Sequence, residues 1–92
     1  MESLDMNQIS GTHGTFVVNN TTRKAGTFTG ILTLEDTVFS KIEVDESTTD
    51  VKADYIAATG TAVKAGALIK PVGDSNFSAV TLTSGSVVLI RF

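Results

Sequence analysis

Cysteine is absent from the chain, and histidine occurs only once, at His13, among 92 residues. Without cysteine, disulfides and thiolate zinc sites are excluded, and one imidazole does not supply the several nitrogen ligands that a zinc site usually takes from one chain. A domain of this size buries only about 60–65% of its unfolded surface. With disulfides and zinc sites of these kinds set aside, oligomerisation is the remaining common source of stability. We therefore expect a protein without a cofactor that packs against copies of itself.

Basic residues are also few, since 7 Lys and Arg face 10 Asp and Glu, for a net charge of -3. Nucleic-acid-binding proteins usually carry a basic patch, and an acidic balance disfavours anionic membrane surfaces. The longest clear apolar run, residues 87–90, is far shorter than the ~18 residues of a transmembrane helix. Residues 1–5 lack the basic and apolar regions of a secretory signal. We expect no nucleic-acid or membrane partner, and synthesis in the cytosol.

Threonine, valine and isoleucine are abundant, at about a third of the chain, and these β-branched residues favour strands. Glycine, asparagine and aspartate punctuate the sequence about every ten residues, which is typical of a sandwich or barrel. The sequence predicts one all-β domain over residues 14–92, a small antiparallel β-sandwich or barrel with a jelly-roll-like form. Residues 1–13, which are mostly polar, are predicted to form a flexible N-terminal arm.

Six segments are predicted as strands: 15–19, 26–34, 37–44, 67–72, 77–83 and 86–92. In the third, alternation places Val38 and Ile42 on one side and Phe39 on the other. Residues 51–58 fit either a strand or a helical turn, and we favour the strand. Ser84-Gly85 separates the last two strands, which predicts a hairpin between them.

The run from Val87 to Ile90 does not alternate, so both of its faces need a cover. In so small a chain, a partner subunit can supply the second cover. We therefore predict a subunit interface formed by apolar residues of the arm and of the last strand. These residues are Leu4, Met6, Ile9, Val87, Val88, Leu89, Ile90 and Phe92.

Acidic residues form two clusters, at Glu35-Asp36 and in the segment 45–50. Adjacent strand residues point to opposite faces, so Glu35 and Asp36 act together as acid and base only if a turn bends them together. The segment 45–50 offers oxygen ligands for calcium but lacks the EF-hand pattern. We interpret both clusters as solvated turns.

His13 follows Gly11-Thr12 and precedes Gly14, which indicates a turn. In the alternative interpretation, three copies of His13 meet on a threefold axis and bind an ion. Arg23-Lys24 near Gly26 is interpreted as a hairpin tip, because no glycine-rich loop leads into a helix there. The chain shows no catalytic motif, and we expect no enzymatic activity.

Two segments resemble short virion proteins of tailed bacteriophages. The first contains the pattern G-x-F-x-x-I followed by L-E-D-T-x-F-x-x-I, at residues 26–42. The second contains A-G and then F-x-x-V-x-L-x-S-G-x-V-V, within residues 65–88. Together they cover roughly half of the chain. The segment 69–74, with Pro71 and Asp74, departs from the uninterrupted strand of these proteins.

The resemblance implies an auxiliary capsid protein of the cement or decoration type. Such proteins are made in the host bacterial cytoplasm, lie on the capsid exterior, often as trimers, and reinforce the shell of the major capsid protein. The resemblance carries no catalytic residues. A tail, baseplate or fibre module that binds a partner protein or a host glycan is the alternative, and it predicts an exposed aromatic platform.

Overall fold

The fold was analysed in a computed structural model, which describes residues 14–91. His13, the predicted arm with Leu4, Met6 and Ile9, and the terminal Phe92 lie outside the described residues.

Six strands form one antiparallel sheet in the described part of the chain, which confirms the all-β prediction. The strands begin and end within a few residues of the predicted bounds, except for the fourth. They are β1 (Thr15–Val18), β2 (Lys24–Thr33), β3 (Val38–Val44), β4 (Leu68–Ile69), β5 (Phe77–Ser84) and β6 (Val87–Arg91).

Residues 51–58 do not form the strand that we favoured, because a 3₁₀ helix occupies Lys52–Asp54. The carboxylate of Asp50 accepts hydrogen bonds from the backbone N–H groups of Ile42 and Lys52, at 3.0 Å each. The side chain thus takes the place of a backbone acceptor beside β3 and starts a turn. The predicted strand 67–72 is also shorter, since only Leu68–Ile69 pair with β2.

Strand β2 lies in the middle of the sheet and joins its two halves. The strand order is β1-β6-β2-β5-β3, and β4 also pairs with β2. Its first half pairs with β5, and its second half lies between β6 and β4. The register shifts between Ala25 and Phe28, and again between Phe28 and Gly30. Such bulges bend a strand, so β2 changes direction where its neighbours change.

One hydrophobic core joins all the long strands, including the two that lie at opposite ends of the sheet order. A flat sheet keeps its end strands far apart, so the sheet must curl around this core. Its buried members are Val18, Phe28, Ile31, Phe39, Ile42, Ile56, Phe77, Val80, Leu82, Val87 and Leu89.

Phe39 and Ile42 both lie in the core, at 2% and 0% exposure, which corrects the prediction that they face opposite sides. Phe39 pairs with Leu82 and Lys41 with Thr81, so Ser40 is an extra residue in the ladder. One extra residue reverses the alternation of side chains. The bulge therefore turns two residues of different parity to the same face.

The predicted hairpin of the last two strands does not form. Strand β5 pairs with β2 and β3, whereas β6 pairs with β1 and β2. Gly85 lies between them at a φ of +93°, and a Cβ built there would lie 2.7 Å from the Asp36 carbonyl oxygen and also too close to Thr37. Ser84-Gly85 is thus a corner at which the chain passes between two parts of the sheet.

Two buried threonines hold the irregular segment 63–67 against the sheet. The hydroxyl of Thr33 donates to the carbonyl of Lys64 at 2.7 Å and accepts from the N–H of Ala67 at 2.9 Å. The backbone of Thr37 bonds to Val63 in both directions. These bonds satisfy backbone groups that have no strand partner.

We expect the substitution Gly85→Ala to lower the free energy of unfolding by about 2–4 kcal/mol, because a left-handed φ and a steric overlap both oppose a Cβ. Gly66→Ala is the matched control, since Gly66 also has a positive φ, of +87°, but open space around it. It should lose only about 1–2 kcal/mol. Urea denaturation of both variants measures the difference, and equal losses would show that the contact with residues 36–37 is unimportant.

Candidate interaction surface

A continuous row of aliphatic side chains crosses four neighbouring strands. Val17 of β1 lies opposite Val88 of β6, Val88 lies opposite Leu32 of β2, and Leu32 lies opposite Leu68 of β4. Directly opposed residues project on the same face of a sheet. Because Val87 and Leu89 face the core, this row faces away from it.

The row is partly open to solvent. Val17 is 49% exposed and Leu68 is 54% exposed at its two ends, and Val88 and Leu32 between them are half-buried. These half-exposed aliphatic side chains leave apolar surface in contact with water. Removing such surface from water is favourable by about 25 cal/mol per Å². Contiguous apolar patches on a protein surface are a common mark of interaction sites.

Gly30 makes the row wider. Ile90 lies two residues after Val88 on the same face of β6, opposite Gly30. The methyl groups Ile90 Cδ1 and Leu68 Cδ1 lie 3.3 and 3.5 Å from the point where a Cβ of Gly30 would stand. The two side chains therefore close over the glycine. We call this patch the outer face and define it as Val17, Leu32, Leu68, Val88 and Ile90.

The predicted interface residues of the last strand divide between two faces. Val87 and Leu89 are 0% exposed within the protein's own core, which corrects their assignment to a subunit interface. Val88 and Ile90 stay half-buried on the outer face. The sequence predicted that both faces of β6 need a cover, and one of the two covers is the core of the same chain. Leu4, Met6, Ile9 and Phe92 lie outside the described residues and remain predictions.

Phe16 forms a second surface feature, at the edge of the sheet on β1. Its ring is 36% exposed, and the ammonium of Lys24 lies 4.2 Å and the guanidinium carbon of Arg91 5.6 Å from the ring centroid. Both distances fit cation–π contacts. Sequence reasoning missed this cluster because its three members lie on three different strands.

Arg23 and Glu43 form an ion pair with two hydrogen bonds. Arg23 Nε donates to Glu43 Oε2 at 2.9 Å and Arg23 Nη2 donates to Glu43 Oε1 at 3.0 Å. The Glu43 side chain is 2% exposed and that of Arg23 is 52% exposed. The small residues Ala25 and Ala79 lie beside Glu43 across the sheet, which leaves room for the long arginine side chain. The interpretation of Arg23-Lys24 as a hairpin tip is wrong, because β1 and β2 do not pair with each other.

The pair fixes the charge of Glu43. Hydrogen bonds from the Arg23 guanidinium, with its positive charge and that of Lys41 at 3.9 Å, hold the pKa of Glu43 below its usual range against the opposing effect of burial. The same contact raises the pKa of Arg23. The position of Glu43 between Ile42 and Val44 within a strand predicts only that it faces away from these two residues, and this gives no sign of its burial. Its partner, 20 residues away, was not readable from any local pattern.

Glu35 and Asp36 do not form an acid–base pair. The carboxylate of Glu35 accepts a hydrogen bond from the Ser86 hydroxyl at 2.8 Å, and that of Asp36 accepts one from the Ala65 N–H at 3.2 Å. Lys64 lies 3.5 Å from Asp36. Each carboxylate is thus tied to a different segment and serves the turn that follows β2.

The acidic segment 45–50 begins with a tight turn that is held by hydrogen bonds within the protein. Asp45 and Glu46 both have positive φ, of 51° and 63°, and the N–H of Ser47 bonds to the carbonyl of Val44, which is the geometry of a type I′ turn. Asp45 accepts from the Ser75 hydroxyl at 2.7 Å and from the Asn76 N–H at 3.2 Å.

At the end of this segment, Asp50 also bonds to Lys52. Burial alone would raise the pKa of Asp50, but the hydrogen bonds from Lys52 and from the Ile42 N–H outweigh it and lower the pKa. Over residues 14–91, no cluster of three or more acidic or histidine side chains has the spacing of a metal site.

A depression of about 280 Å³ opens beside the turn at Asp45-Glu46, between Gly26-Thr27 and Ser78. It lies where β2 and β5 lose register. The buried Ser78 hydroxyl has no hydrogen-bond partner among the described residues. The carboxylate of Asp45 at its rim is already engaged by Ser75 and Asn76, and Glu46 is the other acidic residue of its lining.

No protein-family model, no curated protein and no solved structure matches this chain. The part of the chain that the structure describes has no helix of the length and apolarity needed to cross a bilayer.

We expect Arg23→Gln to make the free energy of unfolding depend less on pH in the acid range. A carboxyl group with a lowered pKa in the folded state stabilises the protein above its unfolded pKa, and this contribution is lost as the pH falls through the folded pKa. The stability gap between wild type and Arg23→Gln should therefore be widest above about pH 5 and should narrow as the pH falls. Denaturation curves measured at a series of pH values give this gap.

Lys41→Gln is the control for the loss of one positive charge, because it leaves both hydrogen bonds of Arg23 in place. The difference in the free energy of unfolding between wild type and Lys41→Gln should be smaller at every pH than the difference between wild type and Arg23→Gln. A gap for Arg23→Gln that does not change with pH would contradict the assignment of the lowered pKa to this pair.

Proposed function

We propose that the protein is a non-enzymatic decoration or cement protein of a tailed bacteriophage, which binds the outer surface of the major capsid shell and stabilises the head. The outer face is the observation that carries this proposal, because aliphatic side chains from four strands stay partly exposed on it within residues 14–91. The resemblance of residues 26–42 and 65–88 to short virion proteins of tailed bacteriophages favours the capsid as the assembly that this face contacts.

Self-association is part of the proposal, with a trimer favoured. A small chain without cysteine gains stability by burying apolar area against other copies. Several copies held together also bind a shell more tightly than one, since each added contact forms at a high effective concentration. The stabilisation is mechanical, because many modest contacts across neighbouring capsomers oppose their separation.

Four of the described carboxylates serve the structure of turns, which supports a role without catalysis. Glu35, Asp36, Asp45 and Asp50 each accept hydrogen bonds that hold turns in place. A general acid or base needs instead to be within reach of a substrate.

A tail, baseplate or fibre module that binds host glycan is less well supported. It needs an exposed aromatic platform, whereas the ring of Tyr55 packs edge-on against Phe77 at 5.2 Å and its hydroxyl accepts the N–H of Val72. Phe16 is exposed, but its ring is already in contact with two cations. The decoration function is therefore the one that we put forward.

Binding to the shell tests this function directly. We expect the purified protein to cosediment with virus shells that lack it, to saturate at a fixed number of copies per capsomer, and to raise the temperature at which the shells rupture. Bovine serum albumin serves as the control for trapping in the pellet. Absence of saturable cosedimentation would refute the decoration function.

Val88→Asp is expected to weaken self-association, because it places a charge in the middle of the outer face. Light scattering should give a mass near three times 9.6 kDa for the wild type and a lower mass for the variant at the same concentration. Ser40→Asp adds the same charge at an exposed position of β3 and should leave the mass unchanged. Equal masses for Val88→Asp and the wild type would exclude the outer face as the contact between copies.

A further inference from the structure

The outer face needs a partner surface, and the arm is the segment of the chain that fits it. We infer that residues 1–13 of one copy lie on the outer face of a neighbouring copy, with Leu4, Met6 and Ile9 against the aliphatic row. This inference rests on the self-association proposed above and names the element that makes the contact.

Symmetry requires two different surfaces for a ring of three. When a patch packs on the same patch of a second copy, the contact has twofold symmetry and closes as a dimer, whereas a threefold ring needs a heterologous contact. The outer face alone therefore makes pairs. A trimer needs a second apolar surface elsewhere on the chain, and the arm carries three apolar side chains within residues 4–9.

The length of the arm allows the contact. Thirteen residues in extended form span about 43–47 Å, and the described domain measures 36 Å along its longest axis. The row from β1 to β4 crosses three strand spacings, or about 14 Å. The arm is thus long enough to leave its own domain and still cover the row of a neighbour.

The chemistry of the two surfaces is complementary. The outer face is formed by aliphatic residues, and Lys70 is exposed just after β4, at one end of the row. The arm combines its apolar residues with the acidic residues Glu2 and Asp5 and has no lysine or arginine. An acidic and apolar segment can place its apolar side chains on the row and its carboxylates near Lys70.

A complementation experiment with full-length chains tests the inference. The first variant, Val88→Asp, has an intact arm and an altered face. The second, Leu4→Asp with Met6→Asp, has an intact face and an altered arm. We expect each variant alone to need at least about tenfold more protein for assembly, since a charge placed in an apolar contact costs more than the free energy of a tenfold change. We expect the two variants together to form a pair by native mass spectrometry at a concentration where each alone is monomeric.

The pair forms because the arm of the first variant binds the face of the second. Circular dichroism and thermal unfolding check that each variant is folded, and Val17→Asp, at the 49% exposed end of the row, replaces Val88→Asp if the latter unfolds. Ser40→Asp again serves as the control, because it keeps both the arm and the outer face. It should assemble as the wild type does and should pair with each of the two variants.

Three results would overturn the inference. If the arm variant assembles as well as the wild type while Val88→Asp does not, the face binds the same face of a second copy. If the wild type is monomeric and the arm variant increases hydrogen exchange at Val88, the arm covers the face of its own chain. If the two variants do not pair when mixed, the arm and the face do not contact each other. All of these readouts are independent of the shell, so a failure of the decoration function, seen as absent cosedimentation, is distinguishable from a failure of the arm contact.

Discussion

The fold depends on strand β2, because it is the strand through which both parts of the sheet are joined. Its first half completes the pairing of β5 and its second half lies between β6 and β4. Two register shifts around Phe28 allow this change of partners, and the ring of Phe28, at 1% exposure, lies in the core at the bend. Bulges that bend a strand in this way let one sheet enclose a core without a second sheet.

Enclosing the core with one sheet has a consequence for the surface. Each strand has two faces, and within residues 14–91 the second one is covered only in part. On β3 and β5 the second face is protected in part by Arg23, which reaches Glu43 across the small residues Ala25 and Ala79. On β1, β6, β2 and β4 the second face is aliphatic and half-exposed, and it is the surface on which the proposed function depends.

Polar side chains hold the segments that lie between the strands against the sheet. Thr33 and Thr37 bind segment 63–67, Asp50 binds the backbone of β3, and Asp45 joins the turn after β3 to the turn before β5. Residues that a sequence reading offers as candidate ligands are therefore used as acceptors for backbone N–H groups. Such groups must be satisfied wherever a strand ends, which explains why acidic and hydroxyl residues gather at these positions.

The sequence by itself determined the all-β class and the positions of five long strands, because β-branched runs and turn residues are local signals. It also predicted that β6 needs a cover on both sides, and the core of the same chain supplies one of the two. Only the tertiary structure decided which face each residue occupies and which strands pair: one extra residue at Ser40 brought Phe39 to the side of Ile42, and the corner at Gly85 separated β5 from β6. The ion pair of Arg23 and Glu43 and the contacts of Phe16 were likewise decided by pairing between distant segments. The physical reason is that alternation and turn type act over a few residues, whereas bulges and strand order are set by the packing of one core shared by the whole chain.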